Sequence, residues 1–139
     1  MHSVCVDASR LLTLLLPDVH SERIDALWSG WQRDHTTLLT PPLLYAEVPS
    51  VIPGAVYFRP ITSEQGDLAF ETFYDTSIAV RVRPRLHIIS RELVRKHKRP
   101  RVCGDFCLAV AQPVDCDLST GDRHLSNAAS LPWVRWIGD

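Results

Sequence analysis

The sequence lacks three features that would assign it to a broad class at once: an excess of charge, a long apolar run and a secretion signal. Its 15 Lys and Arg residues balance 16 Asp and Glu residues to a net charge of −1, so no overall field indicates a nucleic-acid or membrane partner. The apolar run at residues 11–16 is far shorter than the ~20 residues of a membrane span. Asp7 and Arg10 interrupt the N-terminal apolar stretch too early for a signal peptide. We therefore expect a soluble, cytoplasmic protein without a membrane partner.

Cysteine chemistry is also limited. There are four cysteines, and Cys103 and Cys107 have three residues between them. No comparable second pair completes a zinc site, so we expect buried thiols in a reducing compartment rather than zinc ligands or disulfides. Repeats, low-complexity stretches and linkers are absent as well. The composition, 45% hydrophobic and 22% charged, therefore predicts one globular domain over residues 1–139.

What the sequence does contain is a regular alternation of strand and helix patterns. Short apolar segments predict strands at residues 3–6, 36–39, 78–82, 116–119 and 133–137. Between them, segments with helical spacing predict helices at residues 8–16, 22–33, 43–56, 62–74, 84–98, 103–114 and 122–129. This alternation is typical of an α/β fold whose parallel sheet is covered by helices on both faces. We expect a central parallel sheet of four or five strands.

Four acidic residues lie beside core-forming segments. Asp7 ends the first predicted strand, Asp122 follows the fourth, and Glu47 and Asp105 lie on predicted helices. Ligands of parallel α/β proteins bind beyond the carboxyl ends of the strands, where all four acids can meet. Carboxylates are rarely buried without a partner, and a divalent metal is the simplest shared counter-charge. Asp7 and Asp122 also have a structural explanation, because both precede helices and aspartate is a common N-cap.

The order and spacing of these residues resemble those of PIN domains, and more narrowly of VapC-type toxins of bacterial toxin–antitoxin pairs. The resemblance is carried by Val6-Asp7-Ala8-Ser9, by Glu47-Val48 with Ser50 three residues after the glutamate, by Asp105 at the start of an apolar helix, and by Thr120-Gly121-Asp122. It implies a three-layer α/β/α sandwich. It also implies a metal-dependent endoribonuclease that is the toxin of a type II toxin–antitoxin pair.

The resemblance extends to the site and the partners. The four acids would be catalytic and would hold Mg²⁺ or Mn²⁺, while Ser9 and Thr120 would support a carboxylate or a metal-bound water. The partners would be an RNA substrate, a small antitoxin protein and a second copy of the chain in a homodimer. Without metal, carboxylates so close together would repel one another, so some of them are expected to bind protons.

Two prolines depart from the family pattern. Pro49 and Pro53 fall inside the predicted helix that carries Glu47, where each proline removes a backbone hydrogen bond at a cost of about 3 kcal/mol. Val48, directly before Pro49, is biased away from helical geometry. Either the helix is kinked and Glu47 still points to the metal, or the site is weakened. The second case favours an alternative function, a PIN-like module that binds protein or RNA without turnover.

The basic residues are unevenly distributed. Nine of the fifteen Lys and Arg residues fall within residues 81–101. The cluster at residues 91–101 indicates either attraction of an RNA backbone or a solvated helix end whose cations suit the helix dipole. A phosphatase or receiver domain that uses Asp7 is a more distant alternative, because Ser9 stands where such a phosphatase needs a second aspartate.

Overall fold

The computed structural model describes residues 2–98 and 103–137, apart from the side chains of residues 103–105. Its strands are β1 (Ser3–Val6), β2 (Thr37–Thr40), β3 (Ala79–Val80), β4 (Asp117–Thr120) and β5 (Val134–Trp136). Its α-helices are α1 (Ala8–Leu15), α2 (Glu22–Arg33), α3 (Leu44–Phe58), α4 (Ser63–Asp75), α5 (Leu86–His97), α6 (Cys103–Ala111) and α7 (Arg123–Ala129). Strands and helices thus alternate in the order that the sequence predicts.

The five strands form one parallel sheet in the order β3-β2-β1-β4-β5. The first strand is the central one, and its Cys5 pairs with Leu39 of β2 on one side and with Leu118 of β4 on the other. All carboxyl ends of the strands therefore meet at one edge of the sheet, which we call the carboxyl edge. The predicted parallel sheet is confirmed, and it has five strands, the larger of the two numbers expected.

Helices cover both faces of this sheet. Successive strand residues point to opposite faces, and along β1 Val4 and Val6 pack into one core while Cys5 packs into the other. The first core also contains apolar residues of α1, α2, α3 and α4. The second contains those of α5, α6 and α7 together with Leu118. The predicted three-layer α/β/α sandwich is confirmed.

The helix α3 continues through both of its prolines, from Leu44 to Phe58. Its buried stripe includes Val48 and Ile52, so packing against the first core stabilises helical geometry at the residue before Pro49. The hydroxyl of Ser50 donates to the carbonyl of Glu47 at 3.1 Å and to that of Ala46. The helix is therefore unbroken at Glu47, although Val48 alone predicts a break.

Other boundaries differ from the predictions by a few residues. The third strand is only two residues long, and Pro113 ends α6 early, in a 3₁₀ turn at Gln112–Val114. Thr120, placed beyond the predicted fourth strand, is the last residue of β4. Within the described residues, none of the helices has the length and apolarity needed to cross a bilayer.

Candidate active site at the carboxyl edge

Strand register brings Asp7 and Thr120 side by side. Val6, the last residue of the central strand, pairs with Ser119, so the residues that follow them, Asp7 and Thr120, are level with each other. Asp7 begins the turn into α1, and Thr120 begins the turn into α7. Two strand ends that are far apart in the sequence thus form one small polar cluster.

The carboxylate of Asp7 is buried and is held by three hydrogen bonds. Its Oδ1 accepts the hydroxyl of Ser9 at 2.7 Å and the backbone N–H of Arg10 at 2.8 Å. Its Oδ2 accepts the hydroxyl of Thr120. The bond from Arg10 makes Asp7 the N-cap of α1, so capping and a role in the site coexist in one residue. The predicted grouping of Asp7 with Ser9 and Thr120 is what the structure has.

Burial raises the pKa of Asp7 above its ordinary value of 3.8. The hydrogen bonds from Thr120, Ser9 and the N–H of Arg10, together with the charge of Arg10, oppose this rise. The sequence-based expectation attributed bound protons to repulsion between carboxylates. For the Asp7 carboxyl, desolvation by burial is instead the leading cause of the raised pKa.

The turn after β4 completes the cluster with backbone groups. The N–H of Gly121 donates to Ser9 Oγ at 3.0 Å, and the N–H of Asp122 donates to Thr120 Oγ1 at 3.0 Å. A Cβ atom on Gly121 would lie 3.0 Å from the carbonyl oxygen of Ser9, which explains why this turn needs a glycine. The turn therefore packs directly on the start of α1.

Asp122 lies beside this cluster, and its carboxylate also caps a helix. Oδ1 accepts the N–H of His124 at 2.9 Å and that of Leu125 at 3.2 Å, at the start of α7. Asp122 is therefore an N-cap, as Asp7 is, and this is the structural role that the sequence allows for both residues. Its role in a metal site stays a prediction.

Glu47 and Asp105 reach the carboxyl edge on helices. Glu47 is half-buried in the first turn of α3. The pKa of the Cys107 thiol is raised by its contact with Cys5, by burial and, less strongly, by the charges of Asp7 and Glu47. The carboxylates of Asp7 and Glu47, which belong to the face covered by α1 and α3, are therefore within electrostatic reach of a thiol on the opposite face. Asp105 lies on α6, two residues before Cys107, and its side chain is outside the described residues.

The described side chains at this edge do not form a complete set of metal ligands. Among the side chains that the structure describes, no group of three His, Cys, Asp or Glu is close enough to hold a metal ion. The atoms that do converge are carboxylate and hydroxyl oxygens, the ligand type that Mg²⁺ and Mn²⁺ prefer. The four-acid metal site stays a prediction.

Arg10 is fully buried behind the cluster and was not among the predicted site residues. Its Nε donates to Ser119 Oγ at 3.0 Å, and its Nη2 donates to the carbonyl oxygens of Thr120 at 2.6 Å and Ile137 at 2.8 Å. Burial lowers the pKa of Arg10, and the charge of Asp7 opposes this. A signal was present, because Arg10 is the one charged residue in the otherwise apolar and small-polar segment of residues 8–16.

Solved structures that are similar to this chain include two protein complexes. The crystal structure of FitAcB from Neisseria gonorrhoeae has a TM-score of 0.62 at 14% identity, covering 92% of this chain and 94% of its own. The structure of VapBC2 from Rickettsia felis, bound to a DNA fragment from the promoter, has a TM-score of 0.63 at 9% identity and covers 97% of each chain. No family model and no curated protein matches the sequence. Likeness at such low identity shows the fold, which is PIN-like.

The narrower assignment to VapC-type toxin ribonucleases, made from the sequence, is wrong. No family model matches the chain. FitAcB and VapBC2 are complexes, and the likeness to them does not show that the matched component is a toxin. The motifs that suggested the assignment have a local explanation as well. Asp7 and Asp122 both cap the helix that follows a parallel strand, so part of their spacing reflects the fold.

Proposed function

We propose that this PIN-like protein hydrolyses phosphodiester bonds of RNA with a divalent cation held at the carboxyl edge. The observation that carries the proposal is the environment of Asp7. Its carboxylate is buried, and among the described residues no lysine or arginine side chain lies within ion-pair distance of it. The charge of Arg10 acts on it only from a longer distance. A buried carboxylate without a paired cation is costly, so a cation bound from solution would stabilise it.

The residues proposed to hold the cation are Asp7, Glu47, Asp105 and Asp122, with Mg²⁺ or Mn²⁺ as the ion. When bound, such an ion lowers the pKa of a water and shields the charge of the phosphate. The hydroxyls of Ser9 and Thr120 orient the Asp7 carboxylate and favour its ionised form, because both donate to it. The N–H groups of Gly121 and Asp122 fix those hydroxyls in turn.

We further propose that the protein acts within a toxin–antitoxin pair, with a small antitoxin as partner and self-association as a homodimer. The support is the PIN-like fold shared with the FitAcB and VapBC2 complexes. RNA as the substrate is supported by four exposed basic residues near the carboxyl edge, Arg81, Arg95, Lys96 and Lys98, which form no ion pair within residues 2–98 and 103–137.

The activity is tested by incubating a labelled RNA with the purified protein and Mn²⁺, with and without EDTA. Asp7→Asn keeps the helix cap and removes the charge, so we expect its cleavage rate to fall at least ~100-fold. Asp117→Asn is the matched control, since Asp117 lies at the opposite end of β4 and pairs with Arg135. Equal cleavage by the wild type and Asp7→Asn would contradict the mechanism, as would no cleavage by the wild type.

A second candidate is a PIN-like module that binds without cleaving. It is favoured by the lack of three converging metal-binding side chains in the described part of the chain and by the capping role of Asp122. Calorimetry with Mn²⁺ separates the two candidates, because the second predicts no heat of Mn²⁺ binding. It also predicts that the protein binds RNA but does not cleave it. Since α3 is unbroken, we expect Pro49→Ala/Pro53→Ala to leave cleavage unchanged; a large gain in activity would favour the weakened site.

A further inference from the structure

Basic side chains lie on one side of the candidate site. Arg81 follows β3, and Arg95, Lys96 and Lys98 lie at the C-terminal end of α5. All four are exposed. We call these four residues the basic edge.

Arg81 has a fixed position relative to Asp7. Its backbone N–H donates to the carbonyl oxygen of Thr40 at 2.8 Å, continuing the pairing of β2 with β3. Thr40 pairs with Val80 and is level with Val6, so the next residues, Arg81 and Asp7, are level with each other. They are separated by two strand spacings, or roughly 10 Å.

The end of α5 lies at the carboxyl edge too, on the same side of the candidate site as Arg81. The thiol of Cys107 on α6 contacts the carbonyl oxygen of Val6, the residue before Asp7, at 4.0 Å. At its other end α6 leads into β4, where Cys116 donates to Ala111. The helix α6 thus starts at the carboxyl edge, and α5 packs against it. Arg83, just before α5, donates to the carbonyl oxygen of Ala109, near the end of α6, at 3.1 Å. The start of α5 is therefore beside the end of α6, and α5 runs back toward the carboxyl edge where α6 starts; the chain from Lys98 to Cys103 spans at most ~18 Å.

The charges of the basic edge are not neutralised within the part of the chain that the structure describes. Elsewhere Arg33, Arg59 and Arg135 pair with carboxylates. By contrast, none of the four basic-edge side chains forms an ion pair within residues 2–98 and 103–137. Glu92 is the one acidic residue within residues 81–98. A positive surface therefore adjoins the acidic residues of the candidate site, in a chain with almost no net charge.

On the basis of the proposed function, we propose that the basic edge binds the phosphate backbone of an RNA strand a few nucleotides from the bond cleaved at Asp7. An acidic site repels a polyanion, and flanking cations offset this repulsion and raise the association rate. Exposed Arg and Lys side chains contact phosphates without reading bases, so this surface positions RNA and does not select its sequence.

The test measures binding of a short fluorescein-labelled single-stranded RNA by anisotropy. It is done in EDTA and in an Asp7→Asn background, in which we expect cleavage to be at least ~100-fold slower. Arg81→Gln/Arg95→Gln should weaken binding roughly tenfold and lower the slope of log K against log salt by about 1.4, for two lost phosphate contacts. Arg23→Gln/Arg33→Gln is the matched control. It removes the same charge from exposed arginines of α2, and Arg33 lies in a last helical turn as Arg95 does.

We expect the control to change affinity less than twofold. Equal weakening by both double variants, or wild-type affinity of the basic-edge variant, would overturn the proposal. Polyglutamate that competes as well as polyuridine would also overturn it, and would assign the basic edge to an acidic protein partner. Because no metal is present, these outcomes are independent of cleavage. Intact binding without cleavage in the wild type argues against the proposed function alone.

Discussion

The Nη2 atom of Arg10 donates to the carbonyl oxygen of Ile137 at 2.8 Å, so a side chain of the first helix holds the segment that follows the last strand. The same nitrogen donates to Thr120 at 2.6 Å. One buried guanidinium thus joins α1, the end of β4 and the segment after β5. These contacts predict a large role for Arg10 in stability.

We expect Arg10→Met to lower the free energy of unfolding by about 3–5 kcal/mol, because it leaves buried acceptors at Ser119, Thr120 and Ile137 without their donor. Urea unfolding measures this difference. Arg23→Met, at an exposed position of α2, is the control and should change stability by no more than about 0.5 kcal/mol. If the Arg10→Met protein were as stable as the wild type, these hydrogen bonds would make no net contribution to the free energy of unfolding.

The buried carboxyl of Asp7 predicts a pH dependence of stability. Its pKa is raised in the folded protein, so the folded state keeps the proton at pH values where the unfolded chain has released it. The contribution of this group to stability is therefore fully present below pH 3.8 and is lost as the pH rises through the folded pKa. Asparagine keeps the cap and does not titrate. We expect the stability of Asp7→Asn relative to the wild type to increase from about pH 3.5 to pH 7. Urea unfolding across this range would contradict the prediction if the difference stayed constant.

Thr120 is expected to matter through its hydroxyl rather than its shape. Thr120→Val removes the donor to Asp7 Oδ2 and the acceptor of the Asp122 N–H, and should cost about 1–3 kcal/mol. The loss should be larger at pH 7 than at pH 4, because the hydrogen bond favours the ionised form of Asp7. Thr40→Val is the matched control, since Thr40 is equally buried at the same edge and donates only to Pro41. Equal losses for both variants at both pH values would argue against a specific link to Asp7.

Two helical glycines predict opposite effects of alanine. A Cβ atom on Gly54 of α3 meets nothing within 4 Å, so Gly54→Ala should stabilise the protein by about 0.5–1 kcal/mol. A Cβ atom on Gly66 of α4 would lie 2.5 Å from Val56 Cγ2, where α4 packs against α3. Val56 is β-branched and turns poorly, so Gly66→Ala should destabilise by about 1–3 kcal/mol. Thermal unfolding of the two variants side by side checks both, and a similar gain for each would show that the helices separate easily.

The fold was largely predictable because its signals are local and repeated. Each strand is a short apolar segment, each helix has periodic apolar residues, and alternation of the two predicts a parallel sheet. The break at Val48 was not predicted correctly, because the preference of a residue before proline is weaker than the packing of Val48 and Ile52 in the first core. Such packing depends on residues distant in sequence.

The candidate site was predictable in part. Asp7, Ser9 and Thr120 lie together as expected, since strand ends of a parallel sheet meet at one edge. Arg10 was missed because a single arginine in an apolar helix is usually exposed, and its acceptors Thr120 and Ile137 are 110 and 127 residues away. Sequence spacing identifies which residues reach an edge, but not which of them are buried there.

The strand order also sets when the candidate site can exist. The central strand β1 is synthesised first, yet Thr120, which holds the carboxylate of Asp7, follows it by 113 residues. The sheet cannot pair β1 on its second side until β4 has left the ribosome, because contacts so distant in sequence form late. A nascent chain therefore carries Asp7 through the synthesis of the next 112 residues without the hydroxyl that orients it, since Thr120 follows Asp7 by 113 residues. A partner that binds the growing chain before residue 117 has been synthesised therefore meets a protein whose candidate site is not yet assembled.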